Sequence, residues 1–97
     1  MTSKCNPDLI EPLIILSEEC AEVTQVITKI QRFGLDDKKQ KHLEQELGDI
    51  LAMIFILDYH GHINTENVYK NISKKLRKLK KYSDIEQLDE ILKTVKL

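Results

Sequence analysis

The sequence predicts an all-α fold: a helical bundle built on a long antiparallel helix hairpin, with a third, basic helix and a short C-terminal helix, completed by oligomerisation. Three observations predict it. Apolar residues recur with helical spacing nearly throughout, and no segment alternates with period two for long enough to make a strand. Leu, Ile, Lys and Glu dominate while only three Gly and two Pro occur, which suits long helices and few loops. The chain has 97 residues; at that size a lone subunit buries only about 60–65% of its unfolded surface, so a partner subunit is expected to finish the core.

The elements follow in order. Asn6-Pro7-Asp8 supplies an N-cap, a first-turn proline and a first-turn acid, opening a helix that runs to about Phe33 and stops at Gly34. Pro12 lies inside it and is expected to kink or restart it. Asp36 or Asp37 caps a second helix that continues to about His60, with Gly61 as its stop. Each of these two helices is about 35 Å long at 1.5 Å per residue, and so short a connection folds them into an antiparallel hairpin. Asn64 or Thr65 caps a third helix to about Tyr82, whose stripe Val68, Ile72, Leu76 and Leu79 is expected to pack on the hairpin. Ser83-Asp84-Ile85-Glu86 fits a capping box and predicts a short fourth helix from there to about Val95. No repeat, low-complexity stretch or linker divides residues 1–97, which read as one domain.

Net charge is −1, so overall charge favours no class of partner. Its distribution is uneven. Lys70, Lys74, Lys75, Arg77, Lys78, Lys80 and Lys81 follow one another with no acid among them, whereas Glu11, Glu18, Glu19 and Glu22 cluster early and Glu44, Glu46 and Asp49 later. Such a pattern serves a metal and a polyanion at once, or merely makes two solvated helix faces of opposite sign. Cys5 and Cys20 form no disulfide framework or metal-ligand pattern, so a reducing compartment is expected. The apolar stretch Leu9 to Leu16 is broken by Glu11 and Pro12, too short to span a membrane and without a cleavage pattern after it. The expectation is a cytoplasmic protein with no membrane partner.

The acids are the informative feature. At about 100° per residue, Glu19 and Glu22 straddle a direction shared by Ile15, Val26 and Phe33, inside the apolar stripe of the first helix. Glu46 and Asp49 likewise straddle the direction of Met53 and Leu57. Acids at i and i+3 project together, so a hairpin can bring these four into one cluster. Unpaired buried charges of one sign must take up protons or a cation. An all-oxygen donor set favours Mg²⁺, with Mn²⁺ as a substitute, over zinc. The alternative is that the pairs reach water near the helix ends, or meet Lys29 and Arg32. His42, one turn before Glu46, does not complete the Glu-x-x-His pattern of di-iron bundles, and His60 and His62 fit a helix end better than a metal.

Glu18-Glu19-Cys20-Ala21-Glu22 followed by Glu46-Leu47-Gly48-Asp49 resembles the paired acidic motifs of the MazG-like all-α nucleotide pyrophosphohydrolases. Ile30 to Asp37 is similar to the stretch after the first motif in short, single-domain, often phage-encoded members, and Lys75 to Tyr82 to the end of their basic helix. The likeness runs from about Leu13 to Tyr82. It implies that Glu19, Glu22, Glu46 and Asp49 bind Mg²⁺ while water attacks the α-phosphorus of an NTP or dNTP and pyrophosphate leaves. Glu18 then stands as the general base or supporting carboxylate. Lys75 and Lys78 resemble the basic residues that hold the triphosphate, Gln25 and Lys29 could reach base or phosphate, and Tyr82 could stack on a base. The likeness also implies a homodimer or homotetramer, acting in the cytoplasm (of the host, if phage-encoded). Ile56 and Ser73 stand where larger members tend to carry Asn, which bears on base contacts more than on the metal. Two other classes fit parts of the sequence: a nucleic-acid-binding module using the Lys70–Lys81 helix, and an antitoxin-like helical interaction protein. The near-neutral charge and the absence of helix-turn-helix spacing disfavour the first. The acids inside the stripe disfavour the second.

Overall fold

The structure, a computed structural model, describes residues 6–95, which form four helices and no strand. They are α1 (Pro7–Phe33), α2 (Asp37–Tyr59), α3 (Thr65–Tyr82) and α4 (Leu88–Thr94). They fall into two compact units divided between His62 and Ile63. None of the helices is long and apolar enough to cross a membrane. Of the two cysteines, Cys20 is free and exposed, while Cys5 lies outside the described residues.

The first unit is the α1/α2 hairpin. Asn6 caps α1 by accepting the Asp8 N–H on its side chain at 3.2 Å. The helix then runs uninterrupted through Pro12, which is buried, so the expected restart does not occur. Pro12 is the sixth residue of the helix, so its missing N–H forgoes one ladder bond, to the Asp8 carbonyl, without ending the helix. Gly34 ends α1 with φ 84°, its N–H bonding the Ile30 carbonyl at 2.8 Å. Asp36 caps α2, accepting the Lys39 N–H at 2.8 Å and pairing with its ammonium at 2.7 Å. That ammonium first, and the backbone N–H second, hold the Asp36 carboxyl below its ordinary range.

The C-terminus of α2 closes as a Schellman turn: the His62 N–H reaches the Leu57 carbonyl, the Gly61 N–H reaches that of Asp58, and Gly61 takes φ 78°. This turn sets His60 and His62 beside the start of α1. Asp8 receives both, with His62 Nε2 3.2 Å from Oδ1 and His60 Nδ1 3.3 Å from Oδ2. The open end of the hairpin is thus tied across 54 positions of sequence.

Between the helices lies one seam. Pro12, Leu16, Glu19, Val23, Val26 and Ile30 of α1, with Leu43, Glu46, Ile50, Met53 and Leu57 of α2, are all buried or half-buried. Their spacing alternates between three and four residues, the spacing of knobs-into-holes contacts. Val26 and Leu57 are its most enclosed apolar members. On the flanks Leu13, Ile14, Ile27, Leu47, Leu51 and Phe55 stay exposed, Leu51 and Phe55 each by more than half (53% and 57%).

In the second unit Asn64 caps α3 by accepting the Glu66 N–H at 2.8 Å. The fourth helix begins later than the capping-box pattern predicts. Ser83 is spent on ending α3: its Oγ donates to the Leu79 carbonyl at 2.8 Å and accepts the Ile85 N–H at 3.3 Å. The second of these is the bond an N-cap makes, yet no helix follows it before Leu88. Instead α4 starts at Leu88 after Gln87, which has φ 61° and makes no side-chain cap. Lys80 of α3 pairs with Asp89 of α4 at 2.7 Å, which holds the Asp89 carboxyl below its ordinary range.

Candidate metal centre

Two of the seam positions that a hairpin would ordinarily fill with Leu or Ile carry carboxylates. Glu19 of α1 is half-buried and Glu46 of α2 is 5% exposed. One turn along α1, on the rim of the seam, Glu22 adds a third. Glu19, Glu22 and Glu46 each offer an oxygen, and those oxygens all lie within 4.8 Å of one another. Asp49 is exposed and stands outside that trio, although its charge still acts on both Glu19 and Glu46. The sequence reading placed all four acids within the apolar stripe. In the structure Glu19 and Glu46 occupy it, while Glu22 and Asp49 flank it on the solvent side.

This crowding shows in the proton affinities. Burial first, then the contact with Glu46 and repulsion by Glu22, Asp49 and Glu46, push the Glu19 carboxyl up to about 7. Glu46 is raised as well, first by its close approach to Glu22 and then by burial. Two oxygens, Glu19 Oε2 and Glu46 Oε2, are buried with no hydrogen-bond partner among the described residues. Buried polar atoms are rarely left so. A hard divalent cation, bound by oxygen ligands, would satisfy both and cancel the repulsion, so the residues present fit such an ion.

The remaining predicted site residues lie as follows. Glu18 is exposed on α1, one residue before Glu19. Gln25 and Lys29, with Thr24, Thr28, Arg32 and Phe33, line an open cleft of about 360 Å³ along the last turns of α1, where the Arg32 guanidinium sits 5.3 Å from the Phe33 ring centre. Phe33, the last residue of α1, continues the spacing of the seam but is 69% exposed. In the second unit Lys75 and Lys78, with Asn71 and Lys74, line an open cleft of about 470 Å³ on α3. Tyr82 is exposed at the end of that helix. Ser73 is 3% exposed.

A carboxylate trio rooted in the core of a helical hairpin, followed by a helix of cations, is a pattern that comparison with known proteins can test. The model of the MazG nucleotide pyrophosphohydrolase domain matches residues 11–83. The chain belongs to the MazG family. The match takes in both acidic motifs and the whole of α3, and the all-α fold agrees with it. Comparison with curated proteins and with solved structures found no match.

One contact at the site was not read from sequence. His42 Nε2 stands 3.3 Å from Glu46 Oε1. The i, i+4 spacing was visible, but it signals neighbours on a helix face and not which of them turns inward.

Proposed function

We propose that this MazG-family chain is a Mg²⁺-dependent pyrophosphohydrolase that converts a nucleoside or deoxynucleoside triphosphate to the monophosphate and pyrophosphate, with Mn²⁺ able to replace Mg²⁺. The observation that carries the reading is the trio itself: three carboxylates within 4.8 Å, two of their oxygens buried and unpartnered, in a seam otherwise apolar. Evolution of a stable hairpin alone would favour Leu at those positions.

In this reading Glu19, Glu22 and Glu46 hold the cation, and Asp49 joins them from the rim. When bound, the divalent ion neutralises charge on the triphosphate and lowers the pKa of water in the site. Glu18, exposed and one residue before Glu19, takes the proton of the attacking water. Lys75 and Lys78 hold phosphate oxygens through charge-assisted hydrogen bonds, and Gln25 and Lys29 contact base or phosphate from the cleft on α1. Tyr82 stacks on the base. None of these roles requires a nucleophilic side chain, since phosphoryl chemistry depends chiefly on positioning and charge.

A second copy of the chain is part of the proposal. Leu13 and Ile27 of α1 and Leu47, Leu51 and Phe55 of α2 form apolar flanks that the α1/α2 hairpin by itself leaves exposed. A homodimer or homotetramer covers them. The site of action is the cytoplasm, where the triphosphates are.

The test is a panel of NTPs and dNTPs incubated with Mg²⁺ in ¹⁸O-labelled water. The expected products are monophosphate and pyrophosphate in equal amounts, with label in the monophosphate. Label in orthophosphate with release of a diphosphate would reject the reading. Binding of nucleic acid with no hydrolysis of any nucleotide would favour a phosphate-binding module built on the α3 cations.

A further inference from the structure

The two oxygens of Glu46 are not equivalent. Oε2 is buried without a partner, whereas Oε1 stands 3.3 Å from the imidazole Nε2 of His42, one turn earlier on α2. The two side chains differ sharply in exposure, 49% for His42 against 6% for Glu46. An imidazole on the rim of the seam thus meets a carboxylate inside it. Carboxylates and imidazoles that ligate metals are commonly fixed by a hydrogen bond to an atom the metal does not use. Glu46 has one oxygen beside an imidazole and one buried without a hydrogen-bond partner.

We propose that His42 is a positioning residue for the metal centre. With its proton on Nε2, 3.3 Å from Oε1 of Glu46, the imidazole has only to turn slightly to donate to that oxygen, which would hold the long side chain in one rotamer and leave Oε2 free for the cation. The inference rests on the reading of those carboxylates as cation ligands, and it goes further in assigning a residue outside the acidic motifs to the same centre. His42 touches neither substrate nor cation. It acts through Glu46, so its removal should weaken the cation more than it slows the chemistry once the cation is bound. Loss of such an outer partner typically costs about 10–100-fold in metal affinity. Packing alone already encloses Glu46, which places His42 near the lower end, at about tenfold.

The experiment compares wild type, His42→Leu, His42→Gln and Glu46→Gln, first without nucleotide. Mg²⁺ affinity is taken from calorimetric titration and from the Mg²⁺ dependence of the melting temperature. His42→Leu should bind Mg²⁺ about tenfold more weakly while melting as wild type does in chelator. His42→Gln, which keeps an N–H donor within reach, should recover most of the affinity. With nucleotide, saturating Mg²⁺ should restore the kcat of His42→Leu. Wild-type Mg²⁺ affinity in His42→Leu, alongside weakened binding in Glu46→Gln, would overturn the role of His42 and leave the metal centre standing. Unchanged Mg²⁺ binding in Glu46→Gln, or none in wild type, would remove the centre and this inference with it. A loss of melting temperature in chelator that matches the loss of affinity would show His42 supporting the fold instead, and would also overturn the proposal.

Discussion

Cation binding at the carboxylate trio should expel protons, and the amount follows from Glu19. Its carboxyl is pushed up to about 7 from an ordinary 4.5. At pH 7 it is therefore about half protonated, at pH 6 about nine-tenths and at pH 8 about one-tenth. A cation needs the ionised form, so Mg²⁺ should displace about half a proton from Glu19 at pH 7 and nearly a whole one at pH 6. By the same linkage, apparent Mg²⁺ affinity should rise about tenfold between pH 6 and pH 8 from this group alone. Glu46, also raised, adds to both quantities. Without metal the dependence of stability reverses. A carboxyl raised in the folded state binds more protons there than in the unfolded chain, so stability is highest below about 4.5 on this account and falls as pH rises through about 7. Asp36 and Asp89, lowered by their lysine partners, titrate below this window and do not mask it. Calorimetric titration of Mg²⁺ in two buffers of different ionisation enthalpy, at pH 6, 7 and 8, measures the released protons directly. Equal heats in both buffers, with equal affinity at pH 6 and 8, would refute the reasoning.

Two further outcomes are expected. Lys75→Ala and Lys78→Ala should each weaken triphosphate binding by about 1–3 kcal/mol, read as a raised KM, and leave the melting temperature unchanged, because both side chains are exposed on α3; unaltered KM and kcat in both variants would exclude them from the site. Light scattering at micromolar concentration should give a mass of at least two chains for wild type, and Leu51→Glu or Phe55→Glu should lower it; a stable monomeric wild type would show that the apolar flanks of the hairpin need no second copy.

Much of this architecture was legible before any coordinates. Asn6-Pro7-Asp8, Gly34, Asp36, Gly61 and Asn64 each carry a local reason for a helix to start or stop, and each does so in the structure. Ser83 misled because its hydroxyl ends α3 and also accepts the Ile85 N–H as a cap would, while the helix itself starts only at Leu88. The restart expected at Pro12 does not occur, since its place in the buried seam outweighs the local cost of proline. For the site, a helical wheel located Glu19 and Glu46 in the seam because their period is that of the apolar residues around them. It could not separate them from Glu22 and Asp49. An angle about one axis states where a side chain departs, and only the packed partner decides how deep it lies. The tie from Asp8 to His60 and His62 was out of reach for the same reason, because it joins residues more than fifty positions apart.

The claim on which the rest depends is that acids in the hairpin seam exist to hold a divalent cation, and melting curves test it most directly. Wild type, Glu46→Gln and Glu44→Gln, the last an exposed glutamate of the same helix, are melted in chelator and again in saturating Mg²⁺. Binding to the native state at one hundred times Kd contributes about 2.7 kcal/mol, roughly 10–20 °C for a domain of this size. The account predicts that shift in wild type and in Glu44→Gln. For Glu46→Gln it predicts a higher melting temperature in chelator, where one repelling charge is gone, and little or no shift with Mg²⁺. A Glu46→Gln protein that melts as wild type does in chelator and gains as much from Mg²⁺ would contradict it.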